Sequence, residues 1–147
     1  MIKPVTVEVL PQLALLFEEL SGNQTNIAKM AENFEWMQLN DDYILLGAFL
    51  DQKLVGSLMG IICRDLVGEC KPFMVIENVI VSGEFRGRGI GKELMLAIEK
   101  IGIERGCYYV IFVSGAKRIE AHRFYESLGY RLDEVQGFKK YLIKKDI

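Results

Sequence analysis

Residues 75–94 read VIENVIVSGEFRGRGIGKEL, an apolar β-branched run followed by Arg86, Arg88 and Lys92 set among Gly87, Gly89 and Gly91. Each half points to a chemistry. Glu77 interrupts the apolar run, where a carboxylate costs free energy unless it has a task or a partner. It is therefore a candidate general base, or else an outward-facing or capping glutamate. The second half is a glycine-rich turn at the mouth of a helix. A helix start leaves about four backbone N–H groups without partners and carries partial positive charge. Glycines let a ligand approach that backbone without a Cβ in the way. Together they form an anion cradle suited to phosphate or pyrophosphate.

Two nucleotide motifs fail at this turn. A Walker A loop requires a hydroxyl after its lysine, and Lys92 is followed by Glu93. In GRGIGK the third glycine comes one residue too soon for a dinucleotide fingerprint. The other reactive side chains are sparse. Cys63, Cys70 and Cys107 are odd in number, widely spaced and without a C-x-x-C pair, so they read as reduced thiols packed as small hydrophobes. One histidine, His122, leaves no Cys/His zinc cage, and no metal is expected.

The elements that must position these residues follow from periodicity. The chain has 147 residues, half of them hydrophobic, and a net charge of −2. That predicts one soluble α/β domain over 1–147, with no strongly basic surface for nucleic acid. No apolar run is long enough to span a bilayer, and the N-terminus MIKPVTVEVL lacks a signal core, so a cytoplasmic location is expected. PVTVEV alternates as a strand should, and PQLALLFEEL opens on Pro11 at a helix start. Ile27, Met30, Ala31, Phe34 and Met37 recur at helical spacing; Trp36 falls off that stripe, covered by a loop or facing a ligand or another subunit. DYILLGAFL and LVGSLMGIIC flank DQK as a hairpin, and FMVIENVIVS is a further strand. Ile90, Leu94, Ala97, Ile98 and Ile101 mark a helix ending near Gly106, with Gly102 and Gly106 as end punctuation. CYYVIFVS reads as a buried strand, RIEAHRFYESLG as a helix stopped by Gly129, and YRLDEV and FKKYLIKK as two closing strands. The order β-α-α-β-β-β-α-β-α-β-β predicts a mixed central sheet with helices on both faces.

Arg86, Gly89 and Gly91 after ENVIVS form R-x-x-G-x-G, and AHRFYESLGY forms A-x-x-[FL]-Y-x-x-x-G-[FY] some thirty residues later. The pair resembles the two signatures of the GCN5-related N-acetyltransferases, and the element order follows that fold along the whole chain. The resemblance implies acetyl-CoA as cosubstrate. It places the pyrophosphate on the turn amides of Arg86, Gly87, Arg88, Gly89, Ile90, Gly91 and Lys92. It lays the pantetheine arm along Val79, Ile80 and Val81 like an added strand. Glu77 then stands as general base, and Tyr125 as general acid near the thioester sulfur, with core packing as the plain alternative for Tyr125. Phe124 and Arg118 join the cofactor-binding set. His122 lies one turn from Tyr125, near the site or simply solvated.

Many family members carry asparagine where Arg118 stands. The segment SGAKRIEAHRFYESLGY is closer to the aminoalkylphosphonate branch, and IENVIVSGEFRGRGIG to the glucosamine-6-phosphate acetyltransferases. Both relatives use a small amine with an anionic group, and Arg118 suits an oxyanion on cofactor or acceptor. The expected activity is acetyl transfer to a small primary amine, directly, in a ternary complex. A non-catalytic acyl-CoA-binding module and a protein or peptide acetyltransferase are the alternatives. A homodimer is compatible with the off-stripe Trp36 and the closing strands.

Overall fold

Two long apolar runs meet at Asp51-Gln52, and both turn residues take positive φ, 48° and 66°. That is the primed geometry whose twist matches paired strands, and it closes the hairpin expected around DQK. The computed structural model describes residues 1–144. It gathers the chain into two compact units, Met1–Ile111 and Phe112–Ile147.

The first unit holds one five-stranded sheet in the order β1 (Ile2–Pro4), β2 (Tyr43–Leu50), β3 (Lys53–Cys63), β4 (Phe73–Val81) and β5 (Val110–Ile111). The first four strands are antiparallel neighbours, and β5 runs parallel to β4. Helices α1 (Leu10–Ser21) and α2 (Ile27–Gln38) cover one face. There Leu13, Leu16, Phe34, Phe49, Leu54 and Ile80 form a buried cluster. Asn26 caps α2 by accepting the Lys29 N–H at 3.0 Å. Helix α3 (Ile90–Glu104) covers the other face and buries Ile90, Leu94, Met95 and Ile98. It approaches closely because β3 presents Gly56 and Gly60 to it: a Cβ built on Gly60 would lie 2.7 Å from Ile98 Cδ1. The second unit holds α4 (Ile119–Ser127), whose Tyr125 is its buried residue. The Phe112 ring stands edge-on to Tyr125 and Tyr130, with centroids 4.6 and 4.9 Å away. Among the described residues no helix is long and apolar enough to cross a membrane.

The α/β class, the mixed sheet and the helices on both faces follow the sequence expectation. Several elements differ. The PVTVEV run does not form a strand beyond Pro4; Val7–Val9 is one 3-10 turn leading into α1, and Val7 is exposed. CYYVIFVS contributes only Val110 and Ile111 to the ladder, with Tyr108 and Tyr109 exposed. The two closing strands do not form among the described residues: 130–144 carry no ladder. A strand exists only through a ladder, and none is formed over these described residues; Lys145 lies outside the described residues. Gly102 is not helix-end punctuation. It is buried within α3, where a Cβ would come 3.4 Å from Met74 Cε.

The close approach at Gly60 makes a stability prediction. Gly60→Ala adds a methyl against Ile98, which is fully buried, and destabilises the fold by about 1–3 kcal/mol through overpacking. A urea-unfolding midpoint lowered at unchanged slope is the expected result.

Candidate active site

Strand β4 breaks its own alternation. Met59 pairs with Glu77 but Ser57 pairs with Ile80, so Asn78 and Val79 together oppose Leu58. This is a β-bulge, and Asn78 takes its left-handed turn at φ 57°, a conformation asparagine tolerates better than most side chains. The extra residue reverses which face later side chains occupy. Ile76 pairs with Gly60 on the α3 side, whereas Glu77 and Ile80 share the side covered by α1 and α2. Glu77 is exposed, so the expectation of a carboxylate buried inside the strand is not met. The bulge was not foreseen from sequence. Its only trace there is the polar pair Glu77-Asn78 inside an apolar run.

Beside the bulge, β4 has only one neighbour. Strand β5 pairs with Met74 and Val75 alone, so from Ile76 onward the outer edge of β4 has no ladder partner among the described residues. Of the three residues expected to align an extended ligand, Ile80 turns its side chain into the α1/α2 core and can offer only backbone. Val79 and Val81 are half-buried. The Val81 carbonyl accepts a hydrogen bond from Arg86 Nε at 3.1 Å, so Arg86 is partly committed to the strand end.

The turn that follows is held from behind and open in front. Ser82 N–H donates to the Val55 carbonyl at 2.8 Å, and Gly83 N–H donates to Glu19 Oε1 of α1 at 3.1 Å. Gly87 and Gly89 take φ of 79° and 81° on either side of Arg88. Alternating handedness of this kind turns successive N–H groups toward one concave side. Gly89 is the residue preceding α3, and Glu93 N–H to the Gly89 carbonyl at 3.0 Å opens the helical bonding. The amides before Glu93 therefore have no intrahelical acceptor. A Cβ built on Gly87 or Gly89 would meet no described atom within 4 Å, so these two positions are uncrowded. Arg88 lies over the Phe85 ring at 5.1 Å, and Arg86, Arg88 and Lys92 are all exposed. Ile90 is buried against β3 and Gly91 is half-buried, so both serve through their amides. Exposed donors, positive charge and uncrowded glycines fit a pyrophosphate.

In the second unit Tyr125 is 7 % exposed. Burial pushes its phenol above the ordinary range, with Arg118 pulling the other way, so the hydroxyl keeps its proton through neutral pH. Phe124 packs beside it at 5.2 Å between centroids. Arg118 is exposed at the start of α4. His122 Nε2 pairs with the Gly115 carbonyl at 2.9 Å and so fastens the loop before α4. Ser114, which the sequence did not mark, has a buried hydroxyl with no hydrogen-bond partner.

Two other expectations change. Burial raises the thiols of Cys63 and Cys107, as packed cysteines should be, but Cys70 is exposed. Trp36 is not covered by a loop: it is 57 % exposed, edge-on to Tyr43 at 5.3 Å. It borders a pocket of about 460 Å³ with Arg64 and Arg105, near the end of α3 opposite the glycine turn.

Comparison with known proteins agrees with this geometry. Glucosamine 6-phosphate N-acetyltransferase of Trypanosoma brucei brucei is 43% identical over 61 residues, covering 42% of this chain and 40% of that protein. A Drosophila melanogaster protein named "Probable glucosamine 6-phosphate N-acetyltransferase" is 27% identical over 120 residues, covering 80% of this chain and 53% of its own length. The chain thus spans about half the length of these two relatives. Aminoglycoside N(6')-acetyltransferase type 1 of Salmonella typhimurium is 26% identical over 121 residues, covering 81% of this chain and 83% of that protein. The crystal structure of glucosamine-6-phosphate N-acetyltransferase from Arabidopsis thaliana superposes with a TM-score of 0.86 at 22% identity, over 97% of this chain and 98% of that one, a likeness of fold. Residues 10–130 match the acetyltransferase (GNAT) family across both units, from α1 to the residue after Gly129. With the glycine cradle, the half-free central strand and this match in agreement, the chain belongs to the GNAT family of acetyltransferases.

Proposed function

We propose that this chain is an acetyl-CoA-dependent N-acetyltransferase acting on a small primary amine that carries an anionic group. Both units serve one acetyltransferase domain over 1–147, as the family match across both supports. The observation that carries the reading is the open cradle at residues 86–92, set at the end of a strand with one free edge. The relatives named for glucosamine 6-phosphate favour an anionic amine; the relative named for aminoglycosides keeps polycationic amines as the contrasting class.

Bound acetyl-CoA supplies an activated acyl group as its thioester. The chain's residues do the rest. The turn amides, with Arg88 and Lys92, hold the pyrophosphate, and the free edge of β4 at Val79 and Val81 pairs with the amide-bearing arm. The acceptor must be neutral to attack. An amine with pKa about 10.4 is neutral in roughly one molecule in a few thousand at pH 7, a deficit of about 4–5 kcal/mol. Glu77 takes the amine proton, directly or through water; its exposure beside the bulge keeps it reachable. Tyr125 gives its proton to the departing thiolate, and burial keeps that proton in place at working pH. Transfer is direct, since no cysteine lies in either signature.

Three measurements test the reading. Against a panel of amines, thiol release is expected with glucosamine 6-phosphate or another small phosphorylated or phosphonylated amine. Release only with peptides would replace this reading with protein acetylation, and binding without release would leave an acyl-CoA-binding module. Gly89→Glu puts a carboxylate into the cradle and raises the acetyl-CoA dissociation constant by roughly a hundredfold or more. Gly89→Asn, which tolerates the left-handed backbone, loses far less; equal affinity in Gly89→Glu and the parent would remove the cradle assignment.

The pH dependence separates the two proton-transfer groups. Glu77→Gln lowers kcat most at neutral pH and recovers as free amine accumulates toward alkaline pH; a uniform loss assigns the base elsewhere. A phenol raised above its usual pKa stays protonated past about pH 10 and is lost as pH rises further, so Tyr125→Phe removes an alkaline limb that lies above that value. An alkaline limb unchanged in Tyr125→Phe would exclude the phenol as the acid.

A further inference from the structure

Trp36 is the only tryptophan of the chain, and core packing does not account for its position. It is 57% exposed in the last turn of α2, at 79° to the ring of Tyr43. Leu39, three residues on and 87% exposed, follows it around the helix end. Both border the pocket of about 460 Å³ at the end of α3 opposite the glycine turn. Exposed apolar side chains gathered around a concavity mark a binding site.

The wall of this pocket is held in place from three sides. Arg105, the residue after α3, uses both arms of its guanidinium. Nη1 donates to the Asp41 carbonyl at 2.9 Å, and Nη2 donates to Asp42 Oδ1 at 2.7 Å. From β3, Ile62 N–H donates to the Asp42 carbonyl at 2.8 Å. Asn40 Oδ1 accepts the Asp42 N–H at 3.0 Å and closes the turn on itself. Residues 40–42 are thus tied to α3, to β3 and to each other, so little ordering is left for a ligand to impose.

Charge then selects the ligand. Four charged residues line the pocket, and two of them, Arg105 and Asp42, form an ion pair. The other two are Arg64, directly after β3, and Asp41 in the turn. Both are exposed, and among the described residues neither side chain has an ion pair or hydrogen bond, with each other or with any other group. Asp65, next to Arg64, turns its carboxylate to the Leu66 and Val67 N–H groups at 2.7 and 3.3 Å and does not serve as the counter-charge. A purely anionic ligand answers Arg64 and is repelled by Asp41, and a purely cationic one does the reverse. A ligand carrying both charges answers both. We propose that this pocket binds a small zwitterion with an aromatic or large apolar body, a free α-amino acid of the phenylalanine type. Its carboxylate meets Arg64, its ammonium meets Asp41, and its side chain lies against Trp36 and Leu39. The site shares no residue with the glycine cradle, the free edge of β4, Glu77 or Tyr125.

The single tryptophan reports the binding directly. L-phenylalanine, which is transparent where indole is excited, is expected to give a saturable change in the Trp36 emission of the full chain. Hydrocinnamate, which lacks the ammonium, and phenethylamine, which lacks the carboxylate, bind about tenfold more weakly or worse. Arg64→Gln and Asp41→Asn each weaken L-phenylalanine by a similar factor while keeping the parent's circular dichroism, because neither side chain is engaged in the fold. Absence of a saturable change with L-phenylalanine overturns the proposal. Parental affinity in either variant overturns it too, by placing the amino acid elsewhere. Hydrocinnamate or phenethylamine binding as tightly as L-phenylalanine reduces the pocket to a simple anion or cation site, and glucose binding as tightly assigns it to polyols; each of these results also rejects the zwitterion.

Discussion

Strand β4 has two neighbours where it begins and one where it ends, and the candidate site follows from that asymmetry. Backbone N–H and C=O groups away from water need partners. Between Phe73 and Val75 they find them in β3 on one side and β5 on the other. Beyond Val75 no ladder partner follows on the β5 side among the described residues, just where the bulge at Asn78 bends the strand and returns Ile80 to the α1/α2 core. The result is a row of backbone groups that a ligand with amides of its own can satisfy, leading without interruption into a turn of exposed N–H donors. Strand edge and helix start are different amide- and anion-binding devices, joined here by the eight residues 82–89.

That junction holds its shape because α3 is pinned to the sheet along its length. Gly56 and Gly60 remove the side chains that would keep the helix away, and Gly102 does the same against Met74 near the other end. Leu94, Met95 and Ile98, all fully buried, then fix the rotation of the helix. The direction in which its first amides point is set by this packing and not by the loop. The turn can accordingly carry two left-handed glycines without being loose, since Ile90 on one side and the Ser82–Val55 hydrogen bond on the other bound it tightly.

Much of this was legible in the residues. Hydrophobic periodicity located α1 to α4, the DQK turn located the hairpin, and Arg86, Gly89 and Gly91 located the cradle. What was not legible depends on partners distant in sequence. CYYVIFVS looks like a buried strand, yet only two of its residues find a ladder. YRLDEV and FKKYLIKK have strand composition, which describes a segment's appetite for a neighbour and not whether its own chain supplies one. The bulge escaped notice because one inserted residue leaves composition untouched while reversing every later side chain. For Trp36 the residues left loop cover and an outward role both open, and α2 turns it outward beside Tyr43.

The contact between Glu19 and Gly83 has a consequence beyond fastening a loop. Glu19 belongs to α1, on the face of the sheet shared by Glu77, whereas Gly83 begins the passage into the glycine turn. One hydrogen bond therefore spans the two halves of the problem the molecule has to solve. The position of the turn is in this way referred to α1 as well as to the sheet. In that sense Glu19 is a strut, which ties the helix on one side of the sheet to the turn that leaves its end.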